Sequence, residues 1–161
     1  MLHALYTCLQ TGGTVYFCGN GGSAADCQHL AAEMMGRFKD HRRYGWPAVS
    51  LTTDTSVLTA IANDYGYEHV FERQVQVLCG PADVLVCMST SGTSKNVLLA
   101  AEAARRNEST VLAFTGHGGS ALAALAHTTL IVPSTDTARI QEAHIFIGHV
   151  LCGLLEEELA Q

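Results

Sequence analysis

The chain has 161 residues, 48% of them apolar and only 15% charged, which bounds it to one domain with a sizeable core and excludes wholesale disorder. A formal net charge of −6 excludes the broad basic footprint of a nucleic-acid-binding protein, although neutral loops and helix N-termini can still hold an anion. No run of about 18 uninterrupted apolar residues offers a membrane span, and no secretory leader pattern is expected at the N-terminus.

Five short, nearly continuous apolar runs alternate with longer Ala/Leu-rich ones. In chain order, the strand Thr14–Cys18 leads through Gly19-Asn20-Gly21-Gly22-Ser23 into a helix over Ala24–Arg37. The basic cluster Arg37-Phe38-Lys39-Asp40-His41-Arg42-Arg43 then suits a helix C-terminus followed by a solvated loop. A strand at Ala48–Leu51 precedes helices over Thr55–Ala62 and Tyr67–Leu78. The strand Asp83–Met88 opens on the loop Ser89-Thr90-Ser91-Gly92-Thr93-Ser94 and a helix over Ser94–Arg106. Strands at Thr110–Phe114 and Thr128–Val132 bracket a helix at Ser120–Ala126, and a long helix over Thr137–Glu158 ends the pattern. Alternation of this kind predicts an α/β fold: a single doubly wound domain over residues 1–161, with a five-stranded parallel sheet flanked by helices. The six cysteines (Cys8, Cys18, Cys27, Cys79, Cys87 and Cys152) are scattered with no Cys-x-x-Cys pair, and suit reduced, buried packing in a cytoplasmic protein.

In open α/β sheets ligands bind where strands end and helices begin, so the two Gly/Ser-rich junctions are the places to look for chemistry. Ser89, Thr90, Ser91 and Ser94, with Gly92 and a following helix N-terminus, make a neutral phosphate cradle. The lysine of a nucleotide P-loop motif is missing, which favours a monophosphate. The rival reading is that Ser94 merely caps the helix. The other junction fits G-x-G-x-x-A, but its acidic partner should stand about 20 residues on, at the end of the second strand. That strand ends near Thr53-Asp54, too far along for a dinucleotide site. One turn beyond the Gly-rich loop, His29 and Glu33 share a helix face, where they could form an acid/base pair, hold a metal, or be a solvated ion pair. On the last helix Gln141, His144 and His149 need partners if buried. Gln141 and His149 are about 12 Å apart along a regular helix, so joining one metal would need long reach, a bend or a second subunit.

Taken together, Cys18-Gly19-Asn20-Gly21-Gly22-Ser23-Ala24-Ala25-Asp26, His29 with Glu33, Asn63-Asp64-Tyr65-Gly66, Ser89–Ser94, and Ala138-Arg139-Ile140-Gln141-Glu142 with His144 and His149 resemble the sugar isomerase (SIS) domain family and, within it, the phosphoheptose isomerases. The resemblance implies a flavodoxin-like SIS fold. It also implies an aldose–ketose isomerase converting sedoheptulose 7-phosphate to D-glycero-D-manno-heptose 7-phosphate by enediol-type proton transfer, an early step toward nucleotide-activated heptose and lipopolysaccharide. By position it makes Glu33 the base and His149 the acid. Asn20, Gly21, Gly22, Ser23, Glu33, Asn63, Asp64 and Gln141 would face the sugar, and Ser89, Thr90, Ser91 and Ser94 the phosphate. His29, Glu33, Gln141 and His149 would bind one Zn2+ per subunit, in a homotetramer with active sites between subunits. Two departures are expected to matter: relatives have a longer helical segment ahead of the first strand than Met1–Thr11, and some have an acidic residue where Ala138 stands. The alternatives are a non-catalytic SIS module that binds a sugar phosphate, and an isomerase of another phosphosugar. Membrane and nucleic-acid partners are not expected.

Overall fold

A computed structural model describes residues 1–159. Five parallel strands form one sheet in the order β2-β1-β3-β4-β5: β1 Val15–Gly19, β2 Ala48–Ser50, β3 Val84–Ser89, β4 Thr110–Thr115 and β5 Thr128–Ile131. All five coincide with the predicted runs to within a residue or two. The helices are α1 Leu2–Gln10, α2 Gly22–Met35, α3 Thr55–Tyr65, α4 Glu72–Leu78, α5 Lys95–Arg106, α6 Ser120–Leu125 and α7 Thr137–Leu159.

Alternation along the central strands splits the core in two, because successive side chains point to opposite faces. Val15, Phe17, Val84, Val86, Met88, Leu112 and Phe114 face α1, α2 and α7, meeting Leu5, Leu30, Met34 and Leu155. Tyr16, Cys18, Leu85, Cys87, Val111 and Ala113 face the layer built on α3, α4, α5 and α6. All six cysteines are buried and free.

Three expectations need correction. Tyr67–Leu78 is not one helix: a short 3-10 turn at Tyr67–His69 is separated from α4 because Val70 and Phe71 turn into the core, at 0% and 2% exposure. Leu2–Gln10 is a helix that the strand–helix reading omitted, with Leu5 and Cys8 on its buried face. The loop after α2 is not simply solvated. Glu156 of α7 accepts the backbone N–H groups of Phe38, Lys39 and Asp40 and the Nε–H of Arg43, and Arg43 donates on to the carbonyls of Glu33 and Met34 at the end of α2. Stacked over Trp46 at 3.8 Å, Arg43 ties α2, the loop and α7 together.

The strand order fixes where a ligand can enter. The chain leaves β1 for β2 on one side and returns to β3 on the other, so the crevice between β1 and β3 is the topological switch point. The loops Gly19–Ser23 and Ser89–Ser94 flank that crevice.

Candidate active site

Asn20 is fixed from two sides. Its amide and that of Asn96 exchange a reciprocal pair of 2.8 Å hydrogen bonds, and the Tyr67 hydroxyl donates to Asn20 Oδ1 at 3.1 Å. The Asn20 backbone is thereby held at the start of α2, where Gly21 takes φ +56° and Gly22 leaves room for another side chain. That side chain is Gln141: a Cβ on Gly22 would meet its amide at 2.5–2.7 Å. Sequence reasoning found Asn20, Gly21, Gly22, Ser23 and Gln141 but missed Asn96 and Tyr67. Asn96 is 4% exposed among Val and Ala neighbours, and a buried amide in a helix's first turn was the available signal.

Across the crevice, Gly92 takes φ +66° and packs so tightly on Gly119 that a Cβ would lie 2.2 Å from its Cα. This sharp turn gathers the hydroxyls. Ser89 Oγ donates to Ser94 Oγ at 3.1 Å and accepts from Gly92 N–H, while Ser91 Oγ accepts from the N–H and the hydroxyl of Thr93. Ser94 is the N-cap residue of α5 by position, yet its side chain makes no capping hydrogen bond. The helix-capping alternative therefore loses its main support, and the hydroxyls are turned toward each other around a common point. Beside Thr90 and Ser91 lies a cavity of about 270 Å³, also lined by His117, Ser134 and Thr137. His117 had no sequence signal. Asn63 and Asp64 are exposed on the last turn of α3, joined by a 2.8 Å hydrogen bond, just before the turn that carries Tyr67.

A second cluster lies between α2 and α7. Gly148 lets the two helices approach closely: a Cβ there would fall 2.6 Å from a Leu30 methyl. One residue further along α7, His149 Nε2 is 2.8 Å from His29 Nε2, and His29 Nε2 is 3.5 Å from Glu33 Oε1. The two imidazoles meet edge to face, and the Phe38 ring stacks on His149 at 5.5 Å. Three of the four residues matched to the metal thus converge, and Gln141 does not join them. Gln141 lies against Gly22, seven residues before His29 on α2, a separation of about 10 Å along the helix. His144, between them on α7, is a core residue: fully buried, it donates Nε2–H to the Thr115 carbonyl, and burial lowers its pKa.

The chain matches the SIS domain over residues 2–116. It is 55% identical over 155 residues to the phosphoheptose isomerase of Aquifex aeolicus, covering 96% of this chain and 81% of that one. The chain belongs to the phosphoheptose isomerase family. A solved phosphoheptose isomerase from Neisseria gonorrhoeae superimposes with a TM-score of 0.91 at 47% identity, over 97% of this chain and 83% of that one. One from Francisella tularensis gives 0.92 at 39% identity over the same shares. The phosphoheptose isomerase fold thus accounts for the strand order, and membership identifies an isomerase acting on a phosphosugar. No helix among the described residues is long and apolar enough to cross a membrane.

The second cluster has the donor types of a metal site. Two imidazole nitrogens and one carboxylate are the ligands of many catalytic zinc sites, which keep a fourth position open. The separations of 2.8 and 3.5 Å bracket the roughly 3.3 Å between ligand atoms around a tetrahedral zinc. Among the described residues no group of three or more His, Cys, Asp or Glu side chains is placed to hold a metal ion. His29, Glu33 and His149 are instead engaged with one another.

Proposed function

We propose that the protein interconverts sedoheptulose 7-phosphate and D-glycero-D-manno-heptose 7-phosphate, with Glu33 as base and His149 as acid. The observation that carries this reading is the convergence of Glu33, His29 and His149 between α2 and α7. A chain that only bound a sugar phosphate would need the hydroxyl loop but not this cluster.

The reaction balances without an external oxidant. Glu33 takes the proton from C1 of the open-chain ketose and returns it to C2, while His149 supplies a proton to the C2 carbonyl oxygen and takes one from the C1 hydroxyl. The C1 aldehyde results. Ser89, Thr90, Ser91 and Ser94 hold the phosphate; Asn20, Gly21, Gly22, Ser23 and Gln141 contact the sugar, with Asn63 and Asp64 at the rim. His29, Glu33 and His149 would hold a zinc ion, which would supply Lewis-acid polarisation of the carbonyl oxygen. Substrate would have to displace or rearrange Glu33 and His149 from it to free them as base and acid. Gln141, about 10 Å from that trio along its own helix, would reach such a metal from another copy of the chain.

The same separation supports an oligomer with shared sites. Glu33 is eleven residues beyond Gly22 on α2, about 16 Å along the helix. A seven-carbon sugar phosphate extends only roughly 10 Å from C1 to phosphorus. This separation supports the reading that the phosphate-and-sugar loops and the acid/base cluster of one chain belong to different composite sites. Around that cluster, Phe146, Val150 and Leu154 form an exposed apolar stripe on α7, 67%, 44% and 38% exposed. A homotetramer would cover that stripe and bring the halves of different copies together. Six buried free thiols suit the reducing cytoplasm.

The test is incubation of the purified protein with sedoheptulose 7-phosphate, followed by NMR, together with metal analysis of the unstripped protein. Turnover and bound zinc are expected. Tight sugar-phosphate binding without turnover would replace the enzyme reading with that of a binding module, and full activity without metal would remove zinc.

A further inference from the structure

The Ser89–Ser94 cradle is neutral. A phosphate monoester brings a charge of about −2 at pH 7, and the cradle sets against it only hydroxyls, backbone N–H groups and the N-terminus of α5. Neither this loop nor Gly19–Ser23 carries a lysine or arginine. The first cation is Lys95, which directly follows Ser94 and opens α5. Helical Cα–Cβ bonds tilt toward the N-terminus, so the stem of Lys95 leaves α5 on the side of the cradle. Its Cα lies about 3.8 Å from that of Ser94, well within the span of a four-carbon stem.

Lys95 is already engaged. Its Nζ donates to Glu68 Oε1 at 3.2 Å. Glu68 belongs to the short turn Tyr67–His69, and that turn is fixed across the crevice: the Tyr67 hydroxyl donates to Asn20 Oδ1 on the loop after β1, while Val70 and Phe71 anchor the chain behind it in the core. Two neighbouring residues of one turn thus reach both substrate loops. Gly66 opens the turn at φ +96°, and a Cβ there would fall 2.7 Å from Glu68 Oε2, so the glycine leaves the carboxylate room to fold back. The ion pair itself is soft. Its side chains are 72% and 37% exposed, and a pair so open to water holds weakly. A ligand with about twice the charge of a carboxylate, held by the hydroxyl of the adjacent residue, attracts the same ammonium more strongly.

We propose that Lys95 is a phosphate-binding residue of this site and that Glu68 is its internal competitor, an anion that holds the ammonium at the crevice until the phosphate of the substrate takes it. The inference rests on the reading of Ser89–Ser94 as the phosphate loop. It gives the two halves of one ion pair opposite effects on one ligand: Lys95 strengthens phosphate binding and Glu68 weakens it.

The test titrates inorganic phosphate into the whole protein, followed by phosphorus NMR. It compares wild type with Lys95→Met, Lys95→Arg, Glu68→Gln and the combined Lys95→Met and Glu68→Gln variant, and records Tm throughout. Lys95→Met should weaken phosphate binding about tenfold, as for loss of a charge-assisted hydrogen bond. Lys95→Arg should recover most of that loss, because it keeps the charge. Glu68→Gln should tighten binding about two- to fivefold, the strength of an exposed pair, and the gain should vanish when Lys95 is already replaced by Met. Tm should move little, and KM for sedoheptulose 7-phosphate should follow the phosphate affinity. Weaker binding in both single variants would make the pair a strut that shapes the crevice and would overturn the inference. So would an unchanged affinity in Lys95→Met or in Glu68→Gln, or a gain from Glu68→Gln that persists beside Lys95→Met, which is simple charge repulsion. Ser89→Ala combined with Ser91→Ala is the control. If it loses phosphate while Lys95→Met does not, this inference alone falls. If it binds phosphate no less than wild type, the phosphate-loop reading falls and the inference falls with it.

Discussion

Glu33, the proposed base, has a side chain 23% exposed and 3.5 Å from His29, so it stays open to a substrate. Glu33→Gln keeps the shape and one oxygen but cannot accept a proton. The expected loss in kcat is about 10²–10⁴-fold, with KM changed little because the loop proposed to hold the phosphate is a different one. A kcat within a few-fold of wild type would place the base elsewhere. Ser94 allows a second test at this scale. Had its hydroxyl capped α5, Ser94→Ala would cost about 1 kcal/mol. Because that hydroxyl accepts from Ser89 and makes no capping bond, the variant should unfold at nearly the wild-type denaturant midpoint while KM rises. A stability loss with unchanged KM would restore the capping role. His29 and Glu33 were legible in sequence because a pair four residues apart on a helix announces its own proximity. Asn96 and Tyr67 were not, since their partner Asn20 is 76 and 47 residues away and only folding brings them to it.

Among the elements, the strands were the most legible part, because a strand buried on both faces leaves an uninterrupted apolar run. The segment after α2 was the least. A run of Arg, Lys and His looks solvated, yet the Arg43 side chain is 10% exposed and the Glu156 side chain 8%, partners separated by 113 residues. Burial raises the Glu156 pKa, but the Arg43 guanidinium and the N–H groups of Phe38, Lys39 and Asp40 outweigh it and hold the carboxyl at about 2, against an ordinary value of 4.5. A pKa depressed by folding stabilises the folded state wherever the group is ionised. The contribution is therefore complete above about pH 4.5, is lost as pH falls toward 2, and is flat from pH 5 to 8. Its size is of the order of 3 kcal/mol. Glu156→Gln should lower stability at neutral pH by about 3 kcal/mol or more, since it leaves Arg43 buried and unpaired. It should also flatten the acid limb of the stability profile between pH 4.5 and 2. Equilibrium unfolding across that range measures both effects, and an unchanged acid limb would show that Glu156 does not carry the linkage. Because the loop also sets Phe38 against His149, kcat should fall in the same variant.

At the scale of the molecule, composition and strand–helix alternation fixed a parallel α/β domain, but the order β2-β1-β3-β4-β5 carries no local signature, and neither does the distance between the two half-sites. That distance came from which residues of α2 and α7 stand opposite each other: Gly22 with Gln141 at one end, His29 with His149 toward the other. The proposed sharing of sites between copies has a consequence that no single-chain site has. A Glu33→Gln subunit keeps an intact phosphate loop, and a subunit with Ser89→Ala and Ser91→Ala keeps an intact acid/base cluster. Each homo-oligomer should be nearly inactive. When the two are co-expressed and purified together through distinct tags, some sites combine a wild-type loop from one copy with a wild-type Glu33 from another, and activity should return to a measurable fraction of wild type. Mixing the two proteins after purification without subunit exchange should restore nothing, which separates true complementation from residual activity. If each chain instead formed its site alone, every site in the mixed oligomer would carry one lesion or the other, and co-expression would leave the protein as inactive as its parents.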